Sequence, residues 1–395
     1  MKVMKRFMSF VPALLICAAL TLSCGGDENI PGSGNNEGNG EVNTGGEGGN
    51  AGGSESGNEG ENPGGGEISI TAKGADLSWL SEMEHDGVKF RDAGGKEADV
   101  FESLQALGMN AVRLRVWVDP PGGWSGKDDA VALAERAGKL GLDLMIDFHY
   151  SDFFADPGKQ DIPAAWLPDA DKLDAMAKHV SEHTADVLEA LKDKGITPKW
   201  VQIGNETTNG MLWDSGRLWT DNGDIPDGRK HFATLLNAGY EAAKKVFPDV
   251  IAIAHIDNAY EYRDWWFEQI KAAGGKFDMI GLSHYPQTSS QYSWKEMNAK
   301  ALTNIEKLGD KFGCPVMVVE IGTKASDQNL AAQIVGEFVG AAAKLKAYSG
   351  VFYWEPEVFG GWKPAVYNEK GWGSYDMGAF DSNGRPGKAL TELFK

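Results

Sequence analysis

Residues 200–206 read Trp200-Val201-Gln202-Ile203-Gly204-Asn205-Glu206, a short β-prone run that breaks at a glycine and ends in two polar side chains. A run of this length bounded by a turn signal reads as a buried strand. Seven further runs have the same form, at residues 74–79, 111–117, 143–150, 250–256, 279–285, 316–321 and 351–354. Between them lie amphipathic helical stretches such as 131–141, 171–194 and 331–348. Apolar strands alternating with helices are the pattern of a parallel sheet covered on its outer face. Eight such units close into a single (β/α)8 TIM barrel, an α/β fold, expected over residues 68–395. The rival is an open doubly wound sheet, whose nucleotide-binding form needs a glycine-rich phosphate loop that is missing after the first strand.

The first 67 residues have a different composition. Lys2, Lys5 and Arg6 precede an apolar stretch at 7–22, and Ser23-Cys24-Gly25 follows. These are the parts of a secretory signal, expected to span residues 1–23 and to be removed. The Cys24 segment resembles a bacterial lipoprotein box with Thr21 where an aliphatic residue is usual, so Cys24 is the expected lipidation site. Asp27-Glu28 resembles the acidic export tag of surface lipoproteins in the Bacteroides group. Residues 24–67 hold many Gly, Asn and Glu and no aromatic side chain, which makes a flexible tether. The expectation is an exported protein, lipid-anchored in the outer membrane and displayed at the cell surface.

With 395 residues, 42% of them hydrophobic, the chain can bury a full core, which excludes a disordered protein or a disulfide mini-scaffold. The formal charge of −19 excludes nucleic acid as a partner and leaves a membrane contact only through the anchor. Of the three cysteines, Cys17 and Cys24 lie in the signal region, leaving Cys314 as a single thiol. A monomer is expected.

In a barrel the strand C-termini form the active face, and these are unusually polar here. The second strand ends with Arg113, Arg115, Trp117 and Asp119, the third with Asp147, His149 and Asp152, the sixth with His284 and Tyr285, and the eighth with Trp354 and Glu355. Glu206 and Glu320 end the fourth and seventh strands, which face each other across the mouth of a closed barrel. Two carboxyl groups flanking one bond are what glycoside hydrolysis requires: one protonates the leaving oxygen while the other attacks the anomeric carbon or activates water. Asn205 suits a donor to the sugar 2-hydroxyl. Trp79, Trp117, Trp124, Trp166, Trp213, Trp354, Trp362 and Trp372 fall at strand ends or in loops, where indole faces can stack on sugar rings. A competing motif, His179-Val180-Ser181-Glu182-His183, spells the H-x-x-E-H of inverted zinc peptidases, but it lies within a stretch that reads as an outer barrel helix.

Taken together, residues 74–78, 90–97, 112–120, 147–152, 156–160, 201–207 and 353–356 resemble the endo-β-1,4-galactanases of glycoside hydrolase family 53, over most of the chain from Gly74 to Leu393. Asp147-Phe148-His149-Tyr150-Ser151-Asp152 and Tyr353-Trp354-Glu355-Pro356 carry the resemblance most specifically. It implies retaining hydrolysis of β-1,4-galactan, with Glu206 as acid/base and Glu320 as nucleophile. It also implies Arg115, Asp119, His149, Asp152, Asn205, His284, Tyr285 and Trp354 around the substrate. Arg115 is the cation expected beside Glu320. His284 stands where the family usually has the first tyrosine of Tyr-Tyr-Pro, and the short stretch 321–329 lacks the long loop that helps some bacterial members bind calcium. No metal or cofactor is expected. The alternatives are a β-mannanase or cellulase of the same clan, or a surface glycan-binding lipoprotein without turnover.

Overall fold

The computed structural model describes residues 72–369 and 376–395; the signal and tether segments, Cys24 and Trp372 lie outside the described residues. Eight parallel strands close into one barrel. They are β1 (Ala72–Asp76), β2 (Ala111–Val116), β3 (Asp143–Phe148), β4 (Trp200–Ile203), β5 (Ile251–Ile256), β6 (Met279–His284), β7 (Val316–Ile321) and β8 (Tyr348–Tyr353). Each pairs with its neighbours in sequence, and β1 pairs with β8. Helices α1 (Leu80–His85) and α2 (Val100–Ala106) follow β1. Helices α3 (Lys127–Lys139), α4 (Leu173–Asp193), α5 (Gly228–Val246), α6 (Asp264–Ala272), α7 (Trp294–Phe312) and α8 (Gln328–Ala342) then follow β2 to β7 in turn. This is the (β/α)8 architecture that the eight runs predict.

Side chains alternate between the two faces of each strand, so every strand gives one set to the barrel interior and one to the helices. Ala72, Ala111, Met145, Trp200, Ile253, Met279, Met317, Val319 and Phe352 form a buried apolar plug inside the barrel. Gly74 is required beside it, because a Cβ there would lie 2.3 Å from the Phe352 ring. Above the plug the interior turns polar: Asp76, Arg113, Asp147, Gln202, His255, Ser283 and Glu320 are all buried. The larger apolar cluster packs the outer faces of the strands against the helices.

The alternation breaks at Glu320. Met317 and Val319 both belong to the interior plug, so strict period two would turn Glu320 outward. The pairing of β6 with β7 shifts register between Leu282 and Ser283, setting Ser283 opposite Glu320. An extra residue in one strand re-aims the side chains beyond it, and here it returns Glu320 to the interior.

Candidate active site

Arg113, on β2, is the hub of the polar layer. It donates to Asp76 Oδ2 at 2.6 Å, Asp147 Oδ2 at 2.8 Å, Glu320 Oε1 at 2.8 Å and Asn205 Oδ1 at 3.0 Å. Glu320 also accepts from Tyr285 Oη at 2.7 Å and Ser283 Oγ at 3.3 Å. Glu206, partly exposed, projects from a turn just beyond β4. One oxygen of Glu206 lies within 4.8 Å of one oxygen of Glu320. Carboxyl pairs that act by direct attack stand ~5–5.5 Å apart and pairs that hold a water between them ~6.5–9.5 Å, so this approach matches the shorter class.

The two carboxyl groups are not equivalent. Burial pushes Glu206 well above the usual carboxylate range, and the charges of Glu320 and Asp257 push it further. Burial raises Glu320 as well, but the Arg113 guanidinium and the Tyr285 hydroxyl pull it back. Glu206 is thus raised further than Glu320 and holds a proton the more tightly of the two, because only Glu320 has a cation and a hydroxyl favouring its charged form.

The remaining expected site residues fall into three groups. Tyr285 and Trp354 line the same opening, with their rings edge to face at 5.9 Å and Trp354 partly exposed. Asn205 and His149 lie in the network but are engaged within it. Asn205 Nδ2 donates to the Ala155 carbonyl at 2.8 Å, which commits one of its two amide N–H groups. His149 meets Asp147 through Nε2 at 2.9 Å and accepts the Ala155 N–H at Nδ1, 3.0 Å, so it orients a carboxylate and a loop rather than offering a nitrogen to a ligand. Asp152 likewise accepts the backbone N–H groups of Asp119 (3.0 Å) and Ala164 (2.8 Å), bracing two loops, while Asp119 itself is exposed.

Two expectations are corrected. Arg115 does not support Glu320: it is buried higher in the barrel, pairs with Glu355 and is covered by the rings of Trp79, Trp117 and Phe154 at 4.1, 4.6 and 4.8 Å. His284 does not face the opening either. With Met279 and Ser283 inward, His284 points to the helix layer, where Nε2 meets Asn298 Oδ1 at 2.8 Å and the ring packs on Phe338. Of the tryptophan row, Trp79, Trp117 and Trp166 are buried and serve packing, whereas Trp124, Trp213, Trp354 and Trp362 keep partly exposed faces.

Sequence reasoning missed Arg113 as the hub, together with Gln202, His255 and Ser283. Period two was the available signal, since these side chains share the inward face with Glu320's strand partners. His255 Nδ1 accepts the Glu206 N–H at 3.2 Å, and its Nε2 meets Ser283 Oγ at 2.8 Å. Burial and the Arg113 charge hold its imidazole neutral.

One nitrogen of His255 and the two glutamate oxygens cluster closely enough for a divalent cation. The donor set does not suit one. Both His255 nitrogens are engaged as described, and Arg113 already supplies a fixed positive charge to Glu320. The His179/His183 pair is no metal site: His179 bonds Asp169 at 3.0 Å and stacks on Trp166, while His183 is enclosed by Phe148, Tyr150 and Trp166. Burial lowers His183 to about 4.

Comparison with known proteins agrees with this geometry. The family model "Glycosyl hydrolase family 53" matches residues 72–393. The chain is 31% identical over 313 residues to the arabinogalactan endo-β-1,4-galactanase of Thermothelomyces thermophilus, covering 73% of this chain and 90% of that protein. It is 34% identical over 316 residues to the enzyme of the same name from Cellvibrio japonicus (strain Ueda107), covering 72% and 79%. Among solved structures, a fungal β-1,4-galactanase superposes with a TM-score of 0.70 at 28% identity, covering 82% of this chain and 99% of that one.

Proposed function

The chain belongs to glycosyl hydrolase family 53, and from that premise we propose that it is an endo-β-1,4-galactanase, cleaving the galactan side chains of pectin into galacto-oligosaccharides with retention of configuration. The observation that carries the mechanism is the unequal carboxyl pair: oxygens of Glu206 and Glu320 within 4.8 Å, with Arg113 and Tyr285 on Glu320 alone. Glu320 attacks the anomeric carbon while Glu206 gives its proton to the departing glycosidic oxygen. Once Glu320 is esterified its negative charge is gone, so Glu206, having given up its proton, stays ionised and serves as base for the water that releases the product. In the resting state Tyr285 and Ser283 steady the nucleophile, and the half-exposed Trp354 offers its ring to a sugar at the cleavage point.

The test is incubation of the purified protein with β-1,4-galactan and, separately, galactomannan and carboxymethylcellulose, following reducing ends, product lengths and the anomer first formed by proton NMR. Short galacto-oligosaccharides from galactan alone, released as the β-anomer, are expected. Cleavage of mannan or cellulose instead would overturn the substrate, and an initial α-anomer would overturn the mechanism. We also propose that Cys24 carries lipid and that the tether holds the barrel away from an outer-membrane anchor; a Cys24→Ala chain that still partitions with membranes would refute it.

A further inference from the structure

Glu206 is not held by its own strand. β4 stops at Ile203, and Glu206 sits at φ 44°, ψ 52°. A side chain in that left-handed region is strained and persists only where its surroundings over-determine it. The surroundings here are the tip of β5 and the start of α6. Beyond the Glu206 N–H on His255, Thr207 Oγ1 donates to the His255 carbonyl at 3.0 Å, and Trp266 Nε1 donates to the Thr208 carbonyl at 2.9 Å. Thr208 Oγ1 accepts the Asp257 N–H at 3.2 Å and donates to Asp257 Oδ1. Arg263 closes the group: it pairs with the same Asp257 oxygen, reaches Thr208 Oγ1 at 3.4 Å, and grips Glu261 at 2.6 and 2.9 Å.

This clamp is charged, and Glu206 faces charge from several elements. Glu320 approaches from β7, Asp257 from the end of β5 and Asp156 from the loop after β3; the Ser283 hydroxyl comes from β6 and the neutral His255 ring from β5. Each of the first two acids has its own cation, Arg113 for Glu320 and Arg263 for Asp257. Arg113 serves the nucleophile directly. Among the described residues Arg263 bonds Asp257, Glu261 and Thr208 and neither of the two carboxylates, so it bears on Glu206 chiefly through Asp257, the acid that crowds it.

We propose that Thr208, Asp257 and Arg263 are positioning residues for the acid/base: together they fix the turn that carries Glu206, and the balance of charge between Asp257 and Arg263 sets the pH at which Glu206 gives up its proton. The proposal rests on the acid/base role given above to Glu206. Removing Asp257's charge relieves repulsion on ionised Glu206, so Asp257→Asn lowers the pH of proton release. Removing Arg263's charge leaves Asp257 unscreened, so Arg263→Gln raises it. Two halves of one salt bridge then have opposite effects, which loss of a structural contact alone would not produce.

The experiment is the pH profile of kcat/KM on galactan for the full chain, with thermal unfolding recorded for each variant. Asp257→Asn should move the alkaline limb down by about half a unit or more, and Arg263→Gln should move it up by a similar amount, as a nearby charge does. Arg263→Lys, which keeps the charge, should hold the wild-type limb. Thr208→Val should lower kcat about tenfold with KM little changed. Limbs that move together, or do not move, overturn the proposal. Carbon-13 NMR titration of the Glu206 carboxyl, against a Glu206→Gln control, reads the same shifts without substrate. A wild type that left galactan intact would therefore refute the substrate while the clamp was still decided by the titration.

Discussion

Arg113 and Arg115 leave the same face of β2, two residues apart, and each meets a cluster of buried acids. Around Arg113 every acid is tied by hydrogen bonds, and the cluster ends at the opening through Glu320, Tyr285 and the half-exposed Glu206. Around Arg115 the cluster is closed. Glu355 and Glu357 are both fully buried, Trp79 donates its backbone N–H to Glu357 Oε1 at 3.1 Å, and Glu82 accepts from Tyr367 Oη at 2.8 Å. Among the described residues the Nε and Nη2 of Arg115 find no oxygen, and the guanidinium lies instead against aromatic faces, which attract a cation. The ingredients are the same in both clusters. What separates chemistry from architecture is access, and a pair of carboxyl groups treated unequally by one cation.

The comparison is tested most severely at the acids themselves. Glu206→Ala and Glu320→Ala should each lower turnover on galactan on the order of 10⁴-fold with folding intact. Retained activity in either would remove that residue from its role. Next come the two arginines. Arg113→Met leaves Asp76, Asp147 and Glu320 without their cation, so it should lose activity on the order of 10³-fold and about 3–5 kcal/mol of stability. Arg115→Met should lose stability while keeping kcat within about tenfold, because its contacts stop short of the reacting pair. If the folded Arg115 variant lost as much turnover as Arg113→Met, the distinction drawn here would fail.

A finer test concerns how Glu320 stays ionised. Tyr285→Phe removes the 2.7 Å donor that favours the carboxylate. Its pKa rises, so the acid limb of the kcat/KM profile moves to higher pH, with turnover down about 10- to 100-fold. The limbs belong to the coupled pair rather than to either residue alone, which makes the direction the informative quantity. An unmoved acid limb would show that Arg113 and Ser283 hold the charge without Tyr285.

The barrel and the two glutamates were legible in the sequence because both depend on local pattern: β-prone runs separated by helices, and polar residues where those runs stop. Arg113 could not be told from Arg115 in that way. Both have inward parity, and depth in a barrel depends on strand tilt and stagger, which a linear pattern does not carry. His284 is the opposite case, since counting in twos from Met279 would have turned it outward. Glu320 violates the same count and is rescued by a bulge, so a strict parity rule would have discarded the proposed nucleophile. The closed cluster around Arg115 was invisible for another reason, because its members come from β2, the loop after β8 and the start of α1 and meet only through the topology.

That closed cluster makes its own prediction, smaller than the others and opposite in kind. Burial raises Glu357 well above the usual range and Glu82 to about 7. A carboxyl group whose folded pKa exceeds its unfolded value near 4.3 stabilises the native state most below that unfolded value, and the contribution is lost as pH rises through the folded pKa. Stability should therefore decline between about pH 5 and pH 8, as Glu82, Glu357 and Glu355, the last raised to about 8, ionise. Glu357→Gln keeps the shape and the acceptor for the Trp79 N–H but cannot ionise. It should flatten the decline, gaining about 1 kcal/mol over wild type at pH 8 relative to pH 5 in thermal unfolding, with the kcat/KM profile unchanged. A variant that unfolded in parallel with the wild type across that interval would mean that Glu357 carries charge in the native state. Arg115 would then serve both acids rather than Glu355 alone.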